Sequence, residues 1–285
     1  MNTHLDKFFG SIQIEKTHIK ETLPFVWVFG SNKDHSFRKK FLNQLAIQSN
    51  HLLNKYKISQ IEDYPNWIDY NNLYKNLVDF EKDVISISQG VIIFSESVGA
   101  FAEIGVFSCF PFLYKNLLIV AKESYVNQNN ASFLNFGPIL KIKGDNEESK
   151  NIWAINDDNS LLSDECKKIS DHFLEMITEP SLQLLDINLE QDVILLIIDL
   201  IHIFPNKTKS FYEEALKKFF IRTEIFNLKK IFRLIQILNV VESKKSGNNT
   251  LYYIAEHYNY KPCIKYTGIR NKPFDRAAFK IEMSE

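Results

Sequence analysis

Two apolar runs, each closed by a small polar turn and followed by a segment of helical period, set the plan of the first half of the chain. Residues 25–29 read Phe-Val-Trp-Val-Phe and end in Gly30 and Ser31; beyond them Phe37, Phe41 and Leu45 recur four apart with Lys and Arg between, the period of an amphipathic helix. Residues 91–94, Val-Ile-Ile-Phe, lead into a polar turn around Gly99 and a helix that carries Glu103 in its first turns. Between these units, KISQIEDYPNW predicts a strand near 58–61 that ends at Glu62 and Asp63, and FEKDVISIS the end of a helix packed by Val84 and Ile87. A further strand is expected over 117–120, and ASFLNFGPILKI supplies Asn135, Gly137 and Pro138 before a short apolar strand. The alternation predicts an α/β fold, a parallel sheet with helices on both faces, whose strand-end turns are where such sheets bind ligands.

Residues 144–160 are polar and acidic and read as a surface loop, which places a boundary between a first domain, 1–160, and a second, 161–285. Helical patterns then dominate: 163–178, 209–220 and a basic amphipathic helix over 226–241, with Pro180 and Pro205 as breaks. A polar Gly-containing turn, ESKKSGNNT, and a short strand, LYYIA, follow, so the pattern ends like a winged helix, helices and then a basic hairpin. Residues 193–204, VILLIIDLIHIF, are the most apolar stretch, shorter than the roughly 20 residues of a membrane span and interrupted by Asp199 and His202; they predict a buried helix or strand in which His202 has no chemical role. No internal repeat is evident.

Composition changes this picture in two respects. The 285 residues carry a net charge of only −1, yet residues 1–205 hold 18 Lys+Arg against 27 Asp+Glu and residues 206–285 hold 16 against 8. A basic C-terminal region is the footprint expected for nucleic acid or an acidic partner, or equally a solvated surface that docks on the acidic half. Cys109, Cys166 and Cys263 are three, far apart and without metal-ligand spacing, which fits a reducing cytoplasm and gives no metal site. The start of the chain has no uninterrupted apolar segment, so neither a secretory signal nor a membrane anchor is indicated and a soluble protein is expected.

The candidate chemistry centres on Glu103. A carboxylate near a helix N-terminus lies at the positive end of the dipole, which favours its ionised form, while Phe101, Ile104 and Phe107 can exclude water; an ionised carboxylate in a dry cleft can be a nucleophile. Glu103 can equally do no more than complete the first turn of a surface helix. Gly30 lets backbone N–H groups approach a phosphate or ribose closely. Glu62 and Asp63 can hold sugar hydroxyls or cap the next helix.

Residues Phe94-Ser95-Glu96-Ser97-Val98-Gly99-Ala100-Phe101-Ala102-Glu103-Ile104-Gly105-Val106-Phe107 resemble the PES-PGSF-ELGAF signature of retron-associated, nucleoside deoxyribosyltransferase-like effectors. FEKDVISISQGVIIF resembles the helix and strand before that motif, SFLNFGP at 132–138 resembles the family's SFINYGP segment, and the VFGSN turn agrees as well. The resemblance is strong over residues 80–140 and looser beyond 179. It implies a Rossmann-like sheet domain with a mainly helical winged-helix domain, and an anti-phage toxin held inactive by a reverse transcriptase and its multicopy single-stranded DNA. It further implies homo-oligomers and N-glycosidic cleavage by the carboxylate of Glu103. Gly30, Ser31, Glu96, Ser97, Gly99 and Asn135 would line the substrate, with Glu96 either in direct contact or only a cap. No cofactor is implied, since NAD or a related nucleotide is the substrate. The parent transferases carry an aspartate where this chain has Ser97. A neutral base leaves slowly without a proton, so that departure favours NAD, whose nicotinamide leaves as a cation's product without a general acid. Two other readings stay open: a nucleotide-sensing DNA-binding regulator without turnover, and transfer of the glycosyl or ADP-ribosyl group to a macromolecule.

Overall fold

The apolar run predicted around residues 91–94 forms the centre of a sheet: all seven residues of the Ser88–Phe94 strand are buried, as a parallel strand covered on both faces requires. The computed structural model describes residues 3–47, 51–67, 73–127, 132–144, 150–158, 161–177 and 182–282. Two compact units divide them, Pro24–Pro65 with Glu81–Glu179, and Met1–Leu23 with Asn66–Phe80 and Pro180–Glu285.

The first unit is built on a five-stranded parallel sheet. Its spatial order is Lys57–Ser59, Leu23–Phe29, Ser88–Phe94, Leu117–Lys122, Ile152–Ile155, with Phe25 opposite Lys57, Val91 opposite Leu117 and Ile119 opposite Ile152. Alternation along the strands assigns the faces. Val26, Val28, Ile92 and Phe94 pack with Phe37, Phe41 and Leu45 of the Phe37–Ile47 helix and with Cys166, Ile169 and Phe173 of the Ser163–Met176 helix. Phe29 points the other way, its ring 5.0 Å from that of Phe107. Gly90 is required by close approach: a Cβ there would lie 2.6 Å from the Asn116 carbonyl oxygen and 2.8 Å from the Phe173 ring. The buried Trp27 indole donates to the Ser88 hydroxyl at 2.8 Å, so its polar atom is satisfied.

Two sequence expectations are corrected in this unit. The stretch read as a surface loop contains the edge strand Ile152–Ile155, four apolar residues too few to stand out among the polar and acidic ones around them; residues 145–149 and 159–160 lie outside the described residues. The short strand expected after Pro138 is helical instead: Asn135–Ile139 is a π-turn that runs into the Leu140–Lys143 helix, with Ile139 and Ile142 packed inward. The units also divide elsewhere than at residue 160, because the apolar stripe of the Ser163–Met176 helix packs on the sheet's core.

The second unit collects the start and the end of the chain. The Ile12–Ile19 strand pairs antiparallel with Ile264–Gly268 and with Gln183–Leu184. The apolar stretch around 193–204 is the Glu190–Ile203 helix, with eleven buried residues. After it come the Lys207–Thr208 strand, the Lys209–Lys218 and Leu228–Ile237 helices, and a hairpin of Val241–Ser246 with Asn249–Ile254 whose second strand also pairs with Lys207–Thr208. The helix expected over 226–241 is thus shorter, since Val241 turns into the hairpin. Among the described residues no helix is long and apolar enough to cross a membrane.

Candidate active site

Along the five-stranded sheet, the chain runs outward from Leu23–Phe29 in one direction and from Ser88–Phe94 in the other. The strand order reverses between them, and the crevice beyond the carboxyl ends of two such strands is the general ligand site of open α/β sheets. Gly30–Ser31 and Ser95–Ser97 are the turns that leave these two strands. Gly30 has φ 143°, and a Cβ there would lie 3.1 Å from Phe94, Arg38 and the Glu96 carboxylate, so only glycine lets the turns close together.

Glu96 joins the two turns. Its carboxylate accepts from the backbone N–H groups of Ser31 at 3.2 Å, Phe37 at 2.5 Å and Arg38 at 3.0 Å, which neutralises the N-terminus of the Phe37–Ile47 helix. Of the two roles expected for Glu96, the geometry is that of the cap. Ser97 is the N-cap of the Val98–Phe107 helix, its hydroxyl accepting from Ala100 N at 3.1 Å. Gly99 is exposed and has open space about its Cα. Asn135, nearly buried in the π-turn, donates through its side chain to the Asn127 carbonyl at 2.9 Å.

Glu103 is the sixth residue of its helix and half-buried; Ile104 and Phe107 of the same helix are buried, and the Phe101 ring meets Tyr125 at 5.7 Å. Its Oε2 is buried with no hydrogen-bond partner. Burial raises its pKa to about 7; the Glu62 charge adds to this and Arg38 opposes it. The expectation that the helix dipole keeps Glu103 ionised therefore does not hold, because the dipole fades within the first turn and loss of water dominates.

Three further charges define the surroundings. Arg38 is 3% exposed, donates through Nε to the Ser31 carbonyl at 3.1 Å, and forks onto the Glu62 carboxylate at 2.8 and 3.2 Å. Burial raises the Glu62 pKa, but the Arg38 hydrogen bonds and charge outweigh it and leave it below its ordinary value. Asp63, the other half of the acidic pair, caps its own turn by accepting from Gln60 N. Glu81, on the Leu77–Ser86 helix and 4% exposed, is raised by burial, then by the charges of Glu103 and Glu62, to about 8. Among the described residues no group of three His, Cys, Asp or Glu side chains is arranged to hold a metal ion.

The sequence reading missed Arg38 and Glu81. A signal for Glu81 exists: Leu77, Phe80, Val84 and Ile85 mark the inner face of their helix, and Glu81 interrupts it with a carboxylate. Arg38 gives no such signal, since basic residues flank it on the same helix.

A family model described as STM3845 retron effector protein matches residues 34–245, which covers four of the five strands of the sheet, the Ser95–Ser97 turn, the Glu103 helix and most of the helical region. This chain belongs to that retron effector family. A relative of this retron effector in Escherichia coli, named "Retron Ec73 putative ribosyltransferase/DNA-binding protein", is 29% identical over 141 residues, 48% of the chain and 44% of the relative. The match therefore spans less than half of that relative's length.

Proposed function

We propose that this retron effector breaks the N-glycosidic bond of NAD or a related nucleotide, with Glu103 as the nucleophile at ribose C1′. The observation that carries the reading is the buried Oε2 of Glu103, left without a partner at the strand-order reversal while the neighbouring Glu96 and Ser97 are fully engaged as caps. Several buried polar atoms lack a partner among the described residues, and that of Glu103 is the carboxylate oxygen among them, the kind of atom that a reacting sugar carbon can engage. The transition state has oxocarbenium character, which an ionised Glu103 stabilises and then traps as a glycosyl ester. Gly30, Ser31 and Gly99 border the sugar and phosphates, and Asn135 supports the wall beside them. Ser97, whose hydroxyl is committed to Ala100 N, supplies no acid to the departing base, which favours the nicotinamide of NAD as the leaving group.

The doubly wound, Rossmann-like reading of the sheet is supported by its strand order. The winged-helix reading of the C-terminal region is supported by the succession of helix, short strand, two helices and hairpin, with Lys244 and Lys245 exposed on the hairpin and Lys229 on the helix before it. In this reading that region docks the effector on the retron's multicopy DNA or reverse transcriptase, which hold the glycosidase inactive. The word DNA-binding in the relative's name agrees with it. The word ribosyltransferase in the same name favours a second outcome, passage of the sugar from Glu103 to an acceptor other than water.

The test is incubation of the purified chain with NAD beside Glu103→Gln, followed by chromatography of the products. Nicotinamide released by the native chain and reduced on the order of 10⁴-fold in the variant is the expected result, in the range seen when a nucleophile is removed. Free ADP-ribose then identifies water as acceptor, and ribosylated material identifies transfer. Equal release by both proteins rules out Glu103 as nucleophile.

A further inference from the structure

We propose that Glu62 sets the sugar specificity of the crevice: its carboxylate accepts from the 2′- and 3′-hydroxyls of the ribose that Glu103 attacks, so the site takes ribonucleotides in preference to their 2′-deoxy counterparts. This rests on the reading of the crevice as the glycosidase site.

Hydrogen bonds place Glu62 there. The Lys57–Ser59 strand runs parallel to Leu23–Phe29, with Ser59 opposite Trp27, so the carboxyl ends of both strands share one edge of the sheet. The Ile61–Asp63 turn lies beyond one of these ends and Gly30–Ser31 beyond the other. A single guanidinium joins the two turns. Arg38 gives its Nε–H to the Ser31 carbonyl at 3.1 Å and both terminal nitrogens to the Glu62 carboxylate, at 2.8 and 3.2 Å. The backbone N–H of Arg38 also reaches Glu96 at 3.0 Å, one residue before the N-cap of the Glu103 helix. In open α/β sheets an acid at the end of the strand beside the glycine turn is the usual acceptor for ribose hydroxyls. Asp63 caps its own turn, which leaves that place to Glu62.

The donors on this wall are engaged, and what it offers a ligand is acceptors. The N-terminus of the Phe37–Ile47 helix, where such sheets otherwise seat a phosphate, is closed by Glu96 on the N–H groups of Ser31, Phe37 and Arg38. The Arg38 side chain is 4% exposed, whereas that of Glu62 is 53% exposed. A carboxylate has about four acceptor positions, of which the Arg38 fork uses two. Burial raises the Glu62 pKa, and the Arg38 hydrogen bond and charge more than reverse this, so the group stays an anion that only accepts. At Glu62 a phosphate is repelled, while a sugar diol brings the donors that the wall lacks. The fork also fixes the direction of the carboxylate before a ligand arrives, which lowers the ordering cost of binding.

The experiment measures kcat/KM for NAD and for its analogue with 2-deoxyribose beneath the nicotinamide, in the native chain and in Glu62→Gln. The analogue parts with nicotinamide more readily by itself, because a 2′-hydroxyl withdraws electrons from the oxocarbenium centre, so each variant is compared with the native chain probe by probe. The loss on NAD is expected to exceed the loss on the analogue by roughly 10- to 10²-fold, the worth of a hydrogen bond to a charged group. An analogue lacking only the 2′-hydroxyl of the adenosine ribose should behave as NAD does. Equal losses on NAD and the first analogue, the mark of a merely structural Glu62–Arg38 pair, would overturn the proposal, as would no loss on either or a preference carried by the adenosine ribose. Glu62→Asp keeps the charge beside Arg38 and retracts the carboxylate by one methylene; it should narrow the same preference if the glutamine variant does not fold. Calorimetry on Glu103→Gln separates this proposal from the reading beneath it. That protein should bind NAD more tightly than the nicotinamide-side 2′-deoxy analogue, and adding Glu62→Gln should make the two bind alike; equal binding by Glu103→Gln itself overturns the role of Glu62. Full NAD turnover by Glu103→Gln would instead remove the nucleophile and leave the binding preference standing.

Discussion

Asp199 and Glu103 are both carboxyl groups drawn into apolar helices, one in each unit, and their surroundings are opposite. Asp199 is fully buried and accepts from Tyr260 at 2.6 Å, Tyr266 at 2.8 Å and Arg276 at 2.8 Å, so its charge and its lone pairs are answered. Glu103 has a buried oxygen with no partner and lies beside two other carboxyl groups. The first arrangement pins the Ile264–Gly268 strand and the Arg276–Glu282 helix to the Glu190–Ile203 helix and serves the fold. The second leaves a buried carboxylate oxygen unanswered by the fold, which is the arrangement the proposed nucleophile requires.

The sharpest way to break this comparison is to remove the two acids. Asp199→Ala leaves two phenols and a guanidinium without their acceptor, and a buried pair broken from one side costs about 3–5 kcal/mol. Urea unfolding of the variant should show that loss. Glu103→Gln, by contrast, should unfold at the same urea concentration as the native chain or a higher one, since it removes a carboxyl that the fold does not satisfy. A Glu103→Gln protein as damaged as Asp199→Ala would make Glu103 a structural residue.

A smaller effect comes from pH. The folded-state pKa values of Glu103 and Glu81, about 7 and about 8, lie above the ordinary 4.5, so the native chain binds more protons than the unfolded one between these limits. Their contribution to stability is complete below about 4.5 and is lost as pH rises through 7 and 8. Melting temperature should thus fall over that window, and the slope should flatten in a Glu81→Gln, Glu103→Gln double variant. Activity runs the other way, rising through about 7 as Glu103 becomes the anion. A slope unchanged by the double variant would assign it to other groups.

How far the sequence reveals these features depends on whether they are local. Apolar runs bounded by glycine mark the central strands around 25–29 and 91–94 because burial on both faces leaves no polar positions in them. The Ile152–Ile155 strand escapes notice because its four apolar residues are too short a run to stand out in a polar, acidic stretch. Ser97 and Glu103 stand on one helix and are read from one short motif. The pairing of Arg38 with Glu62, the clamp of Glu96 on the first helix and the approach of Glu81 to Glu103 join segments far apart in the chain, and residue spacing says nothing about them. The sign of the Glu103 shift was missed for the same reason: the helix dipole is local and visible in sequence, whereas the burial that outweighs it comes from other elements.

Ser97 gives the smallest effect and the finest distinction, because it stands in the same motif as Glu103 and its hydroxyl is satisfied. The hydroxyl accepts from Ala100 N at 3.1 Å, and the backbone at φ −140° and ψ 160° is that of an N-cap. Ser97→Ala should cost about 1 kcal/mol, the usual value of a cap, and Ser97→Asp, which can cap as well, should restore it. An aspartate also returns the acid that the parent transferases carry at this position. If nicotinamide is the leaving group, Ser97→Asp recovers stability with little change in NAD cleavage. A large gain in cleavage of a neutral-base nucleotide would show that the crevice had lacked an acid. Urea unfolding and the rate on 2′-deoxyadenosine 5′-monophosphate, measured on the same two variants, separate the cap from the chemistry.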